Sequence, residues 1–242
     1  MNINVSPRYC FGKKTNSKCN FCAVKLIAFC GVLDDEDILN LEAISNETKI
    51  SKGENIFNQG DEVFKFYNLR IGSIKIYKLS SDGRKQIVGF LFPGDFLGMS
   101  SEEEYSYSAE ALEDTILCSF SKTKLENFFI QHPIIEKKIL SITNQELSIA
   151  QDQIFLMGKY SAKERVLKFL LNISEQRRKI GWVNNPIKLS MTISDVGNYL
   201  GLTIETVSRN LASLKKEKII SEVGNKNYFL NDKDHIHKLI ET

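Results

Sequence analysis

Twelve residues near the C-terminus constrain this chain more than any others: Thr192-Ile193-Ser194-Asp195-Val196-Gly197-Asn198-Tyr199-Leu200-Gly201-Leu202-Thr203. Val196 and Leu200 stand four apart and share one helix face. Ser194 is placed to cap that first helix, and Gly201 supplies a residue that tolerates a sharp turn. Leu202 fills the gap between the helices, and Thr203 is placed to cap the second. That second helix is expected to run to about Lys216. Val207, Leu211 and Leu214 then point inward, while Glu205, Ser208 and Arg209 point outward from its first two turns. Helix, tight turn, helix is the arrangement that lays a recognition helix in the major groove of DNA, with its N-terminal end against the bases. An arginine there bonds both acceptors of guanine, and a glutamate accepts from the amino group of cytosine. Lys215, Lys216 and Lys218 follow and suit phosphates. Residues 219–223, a Gly224-Asn225-Lys226 turn and residues 227–230 read as a hairpin, a wing beside the two helices.

Charge agrees with this placement. The whole chain carries +2, but residues 159–242 hold 15 Lys and Arg against 9 Asp and Glu, and the other 158 residues hold 17 against 21. A basic third on an acidic body suits a polyanionic partner.

The body reads differently. A short helix is expected from Asp34 to about Ile44, capped by Asp34 or Asp35. Residues 48–121 read as β: Ile74-Lys75-Ile76-Tyr77 alternates, Ser81-Asp82-Gly83 turns, and residues 86–92 form a further strand broken by Pro93-Gly94-Asp95. Glycines at 53, 60, 72, 83, 89, 94 and 98 offer corners for a barrel or roll. From residue 133 to 157 the period becomes helical. Leu140, Thr143, Leu147, Ala150, Ile154 and Met157 make a heptad seam, and Ile135, Ile139, Ile142 and Ile149 occupy a neighbouring face. One face is available for the chain's own β domain and the other for a second copy. Ser161-Ala162-Lys163-Glu164 has capping-box spacing and opens a helix expected to reach about Glu175.

Of five cysteines, Cys10, Cys19, Cys22 and Cys30 crowd the first 30 residues and Cys118 lies far off. The odd count and the Cys-x-x-Cys pair argue against a secreted disulfide framework, and soft thiolates suit zinc or an iron–sulfur cluster. Lys13, Lys14 and Lys18 before the apolar residues 19–33 imitate a secretory signal, but Lys25 interrupts the run, no small-x-small cleavage site follows, and Asp34, Asp35 and Glu36 come next. No apolar run approaches the roughly 18 residues of a membrane span. A cytoplasmic protein is expected. No Ser-His-Asp grouping or phosphate-binding glycine loop occurs, and the three histidines (132, 235, 237) are scattered, so an enzyme is not expected.

The order of these parts resembles the cyclic-AMP-receptor and fumarate–nitrate-reduction (FNR) superfamily of transcription regulators. Lys52-Gly53-Glu54-Asn55-Ile56-Phe57-Asn58-Gln59-Gly60-Asp61 matches its glycine pattern, and Asp195–Thr203 followed by Glu205-Thr206-Val207-Ser208-Arg209 is similar to its oxygen-sensing branch. The resemblance implies an α+β chain: a cysteine-rich cluster-binding segment (1–33), a cyclic-nucleotide-binding-like β-roll or jelly roll (34–132), a long dimerisation helix (133–158) and a winged helix-turn-helix (159–242). It implies a homodimer paired through Leu140, Leu147, Ala150 and Ile154. Glu205, Ser208 and Arg209 would read TTGAT-type half-sites in double-stranded DNA, with Thr203 and Lys215 also at the DNA. It implies a [4Fe–4S] cluster on Cys19, Cys22, Cys30 and Cys118; Cys10 is the spare, read first as a non-ligand, with a stand-in ligand or a fortuitous residue of the tail as the other readings. The spacing from the second to the third of these cysteines is wider than the family's more familiar five residues. RNA polymerase is an implied partner, with loops such as Ser80–Lys85 as candidate contacts that also read as plain solvated turns. Cyclic-nucleotide binders of the fold hold the phosphate with an arginine. The matching region, Gly94–Gly98 and Glu102–Glu110, has no arginine or lysine and four glutamates, so a cyclic nucleotide is not expected. Ala150 is small and neutral where some relatives place an acid, so measurable dimer is expected even without a cluster. A zinc-stabilised regulator of the same fold, or a thiol redox switch on Cys19 and Cys22, remain the alternatives.

Overall fold

In the computed structural model, which describes residues 17–100, 102–224, 226–233, 236, 237 and 240, the chain enters through a run of tight turns from Ser17 to Leu33. Phe29 and Leu33 at the end of this run are buried in the core of the domain that follows. Helix α1 (Asp35–Ala43) begins where Asp34 accepts hydrogen bonds from the backbone N–H groups of Glu36 and Asp37 at 3.0 and 2.8 Å. Asp35, Glu36 and Asp37 fill its first turn, where the helix dipole favours negative charge.

Eight strands follow: β1 (Ser45–Ile50), β2 (Asn55–Phe57), β3 (Lys65–Ile71), β4 (Ile74–Leu79), β5 (Lys85–Leu91), β6 (Phe96–Leu97), β7 (Ser108–Ala111) and β8 (Thr115–Ser121). They pair antiparallel into two sheets, ordered β1-β8-β3-β6 and β2-β7-β4-β5. Leu69, Ile74, Leu97, Ala109 and Leu117 fill the space between them. Apart from the β4–β5 hairpin, consecutive strands alternate between the sheets, the arrangement of a jelly roll. Of the seven glycines expected at corners, six have positive φ; Gly72, at +99° between β3 and β4, lies so close to Thr115 that a Cβ would stand 2.5 Å from its hydroxyl. Gly89 is the exception. It lies within β5 opposite Ile76, whose side chain leaves a Cβ only 3.1 Å, so this glycine serves close packing rather than a turn.

Helices α2 (Lys122–Gln131) and α3 (Pro133–Lys159) close the roll. Pro133 fits the first turn of α3, where its missing N–H costs nothing. His132 at the corner stacks on Phe128 and bonds Asp37 of α1 at 2.9 Å, so this histidine ties helices together. Ile135 and Ile139 face the roll and are buried, whereas Leu140, Leu147 and Ile154 are 61, 57 and 73 % exposed.

Helix α4 (Ala162–Lys179) starts with the expected capping box of Ser161 and Glu164 and continues one turn past Glu175. That turn is Gln176-Arg177-Arg178-Lys179, all good helix formers. Arg178 also pairs with Glu175 at 2.8 Å, and Gly181 (φ +72°) follows the helix end. The rest comprises β9 (Ile187–Lys188), α5 (Ile193–Leu200), α6 (Ile204–Lys216), β10 (Ile220–Glu222) and β11 (Asn227–Leu230), with sheet order β10-β11-β9. The two halves are clamped together. Asn198 of α5 accepts from the backbone N–H of Ile87 and donates to the carbonyl of Lys85 at 2.8 Å. Lys75 of β4 bridges Glu110 (2.8 Å) and Asp195 (3.1 Å). Phe90 meets Tyr199 edge-on at 5.1 Å.

Candidate nucleic-acid interface and thiol site

The C-terminal reader is built from short-range rules. Thr192, not the expected Ser194, caps α5: its hydroxyl accepts from the N–H of Asp195 at 3.0 Å, and the carboxylate of Asp195 accepts from the N–H of Thr192 at 2.9 Å. Thr192 wins because it has a capping-box acid three residues on, whereas Ser194 lies inside the first turn. Gly201 ends α5 in left-handed backbone at φ +65°. Thr203 caps α6, its hydroxyl accepting from Thr206 at 3.2 Å. Val207, Leu211 and Leu214 are buried, and Glu205, Ser208 and Arg209 are exposed on the opposite face. The Glu205 carboxyl is held below its usual range by its own backbone N–H and by the Thr203 hydroxyl, so it remains an acceptor. Sequence reasoning missed Gly197. A Cβ there would stand 2.8 Å from the carbonyl of Leu202, so α5 and α6 close on each other only over a glycine.

Lys215 is exposed, but its Nζ is paired with Glu222 of β10 at 2.7 Å, a partner the sequence did not suggest. The hairpin expected as a wing is present as β10 and β11. It gains a third strand, β9, too short for periodicity to signal. Asn225 of its turn lies outside the described residues.

The thiol site draws on distant chain. In the entering turns, the N–H of Cys22 donates to the carbonyl of Cys19 (3.2 Å) and that of Lys25 to Cys22 (3.1 Å). Glu42 of α1, another residue the sequence did not single out, anchors this segment. It accepts from the Ser17 hydroxyl and from the backbone N–H groups of Lys18 (3.0 Å) and Cys19 (3.5 Å). Phe29 packs edge-on against Phe96, Phe120 and Phe129 at 4.9, 5.7 and 6.1 Å, which fixes Cys30 over the first sheet. There Cys118 lies in β8 between Glu47 of β1 and Asn68 of β3. Cys19, Cys22, Cys30 and Cys118 are free thiols, each partly buried. Burial first, and then the other thiols, push Cys30 up to about 12. Burial also raises Cys118 to about 12, against the pull of Arg70, and Cys19 to about 11. Cys19, Cys22 and Cys118 therefore all lie within electrostatic range of Cys30, and Cys19 and Cys22 within range of Cys118. Among the described residues no three His, Cys, Asp or Glu side chains are gathered round the position of a single metal ion. Cys10 lies outside the described residues.

Between the halves lies a cavity of about 410 Å³, walled by β5, α3, α4 and Tyr199. Asp95, Glu146, Lys168 and Lys179 are among its lining residues. Burial pushes the Asp95 carboxyl up to about 7, although it accepts a 2.7 Å hydrogen bond from the Phe92 N–H.

Residues 47–132 match the cyclic nucleotide-binding domain model, and residues 164–239 match the Crp-like helix-turn-helix domain model. The nitrogen fixation regulation protein FixK of Bradyrhizobium diazoefficiens is 37% identical over 84% of this chain and 86% of its own length. The chain belongs to the Crp/FNR family of transcription regulators. The fumarate and nitrate reduction regulatory protein of Yersinia pestis is 33% identical over 85% of this chain and 84% of its own. The solved structure of FixK2 from Bradyrhizobium japonicum superposes with a TM-score of 0.75 at 33% identity, covering 81% of this chain and 97% of that one. The expected fold class, a β-roll with a C-terminal helix-turn-helix, is therefore that of the family, and this Crp/FNR chain is a DNA-binding regulator rather than an enzyme. No helix among the described residues is long and apolar enough to cross a membrane.

Proposed function

We propose that this protein is an oxygen-responsive, cytoplasmic FNR-type regulator of anaerobic gene expression. It holds an oxygen-labile [4Fe–4S] cluster on Cys19, Cys22, Cys30 and Cys118. One observation carries the reading: Phe29 of the cysteine-bearing turns packs on Phe120 of β8, the strand that carries Cys118, so thiols from two regions nearly a hundred residues apart come to the same part of the sheet, where Cys19 and Cys22 act electrostatically on Cys118. The donor set fits the group. A single tetrahedral zinc at 2.3 Å from each sulfur wants sulfurs about 3.8 Å apart, and no three donors gather round one ion position among the described residues; a [4Fe–4S] cube takes one thiolate on each iron, and four free thiols are available. When bound, the cluster supplies an oxygen-sensitive tie between the entering turns and the roll. The chain's own residues supply the rest: Phe29 and Glu42 hold the turns in place, and buried Ile135 and Ile139 fix α3 against the roll.

The exposed seam of Leu140, Leu147, Ala150 and Ile154 favours a homodimer, since an apolar stripe of this kind is removed from water by a second copy. Pairing sets two recognition helices about one DNA turn apart, over a TTGAT-type palindrome. Glu205, Ser208 and Arg209 read its bases. Thr203 lies at the phosphates, and Lys215 turns to them from Glu222. RNA polymerase is the further partner. Cyclic nucleotide is not expected as a ligand, because Gly94–Gly98 and Glu102–Glu110 offer no arginine or lysine for its phosphate and carry four glutamates. The domains proposed are residues 1–33, 34–132, 133–158 and 159–242.

Purification without air tests the cluster. Brown protein containing iron and sulfide, and binding a TTGAT palindrome more tightly than after exposure to air, is expected. Colourless protein with zinc would favour the zinc-stabilised alternative, and a reversible Cys19–Cys22 disulfide without metal the thiol switch. Because Ala150 places no charge in the seam, sedimentation of air-exposed protein is expected to show measurable dimer; strictly monomeric protein would contradict this.

A further inference from the structure

One row of side chains crosses the first sheet at the thiol site. The register sets Glu47 of β1, Cys118 of β8, Asn68 of β3 and Phe96 of β6 side by side. Directly opposed residues of an antiparallel pair share a face, with Cβ atoms about 4.5–5.5 Å apart. Phe66 and Phe120, the next opposed pair along β3 and β8, lie on that same face, and Phe29 of the cysteine-bearing turns packs on Phe120. Asn68 therefore lies beside Cys118, beneath the segment that carries Cys19, Cys22 and Cys30.

Its side chain is poorly satisfied for such a place. Asn68 is 3 % exposed, and its Oδ1 is the buried side-chain atom without a hydrogen-bond partner among the described residues. Its Nδ2 makes one long bond, 3.4 Å, to the carbonyl of Leu69. Buried polar groups are nearly always bonded, and an orphan costs free energy that a leucine would not. Phe66 and Phe96 around it give the roll no use for an amide. Rotation about the last side-chain bond exchanges oxygen and NH₂ in almost the same volume. The amide thus has a donor to offer to sulfur. Thiolates and sulfides of an iron–sulfur cluster accept such bonds, and the bonds raise the cluster's reduction potential.

We infer that Asn68 is a positioning residue of the thiol site, whose side-chain amide donates a hydrogen bond to sulfur at the Cys118 corner of the bound cluster. This rests on the cluster reading above and adds to it a group that is not a ligand. Arg70, two residues on and paired with Glu47 at 2.9 Å, adds positive charge at the same corner.

Wild type, Asn68→Leu and Asn68→Asp, loaded without air from ferrous iron and sulfide, test it. Three readouts are needed: the reduction potential, the rate of visible bleaching in air, and the melting temperature of cluster-free protein. Both variants are expected to take up the cluster at a potential more negative than wild type, lowest for Asn68→Asp, and to bleach faster. Cluster-free Asn68→Leu is expected to melt no lower than wild type, which a purely structural asparagine would not allow. Unchanged potential and bleaching in Asn68→Leu would overturn the inference and leave the cluster reading standing. Wild type that takes up no iron and sulfide would overturn both.

Discussion

The reader and the thiol site are opposites in construction. The reader is contiguous: caps, turn and the outward-facing side chains of its second helix all fall within residues 192–216, set by neighbours a few positions away. The thiol site joins the entering turns, α1, β1, β3 and β8, and its geometry exists only after the roll has closed. A contiguous reader is complete whenever its half of the chain is folded. A site assembled from distant chain responds to whatever ties its parts together. That contrast suits a molecule in which one region carries specificity and the other carries the signal.

The largest effect expected is on the signal side. Cys118→Ser should abolish iron and sulfide uptake, and with it any difference in DNA affinity between anaerobic and aerobic samples. Cys118 is partly buried, so the far-ultraviolet circular dichroism of the cluster-free fold should be unchanged. Retained iron at wild-type stoichiometry would break the comparison. On the reader side, Arg209→Ala is expected to lose the bidentate base contact proposed for it, worth about 1–3 kcal/mol, or roughly a 5- to 150-fold loss of affinity. The loss should appear in mobility shifts with and without the cluster, at unchanged melting temperature, because Arg209 is exposed.

Gly197→Ala sharpens the claim that the reader is set by close local packing. Its Cβ would press on the Leu202 carbonyl at 2.8 Å. Overpacking of this kind costs about 1–3 kcal/mol, and the lowered melting temperature should be accompanied by weaker DNA binding at unchanged cluster content. The smallest effect lies between the two regions. Asp95 has a carboxyl pushed up to about 7 from 3.8, so its ionisation opposes the native state increasingly as pH rises from about 4 to 7. Asp95→Asn should therefore gain stability relative to wild type across that window and hold the gain above it, as denaturant titrations at pH 5 and pH 8 would show. Equal differences at both values would contradict the assignment.

How much of this was legible in the sequence follows the same division. The reader was legible nearly residue by residue, because capping, helix period and the left-handed glycine are local effects. It failed only where two local candidates competed, Thr192 against Ser194, or where the reason was spatial, as at Gly197 and in the Lys215–Glu222 pair. The strands of the roll were legible from alternation and turn glycines, but their order was not, since pairing β8 between β1 and β3 is a long-range choice. At the thiol site the cysteines were visible as residues. Glu42, Arg70 and Asn68 were not, because nothing in their neighbours signals that they will meet the thiols across the sheet. The clamp of Lys75 on Asp195 and Glu110 was invisible for the same reason.

The central claim is that an unchanging reader is governed by a labile thiol-held centre. Titrating one anaerobic sample against a TTGAT palindrome, admitting air, and repeating the titration with iron and sulfide assayed at each stage tests it most directly. Affinity should fall as iron is lost, in proportion to it, while Arg209→Ala binds weakly throughout. Affinity that stays constant while the iron departs would contradict the account.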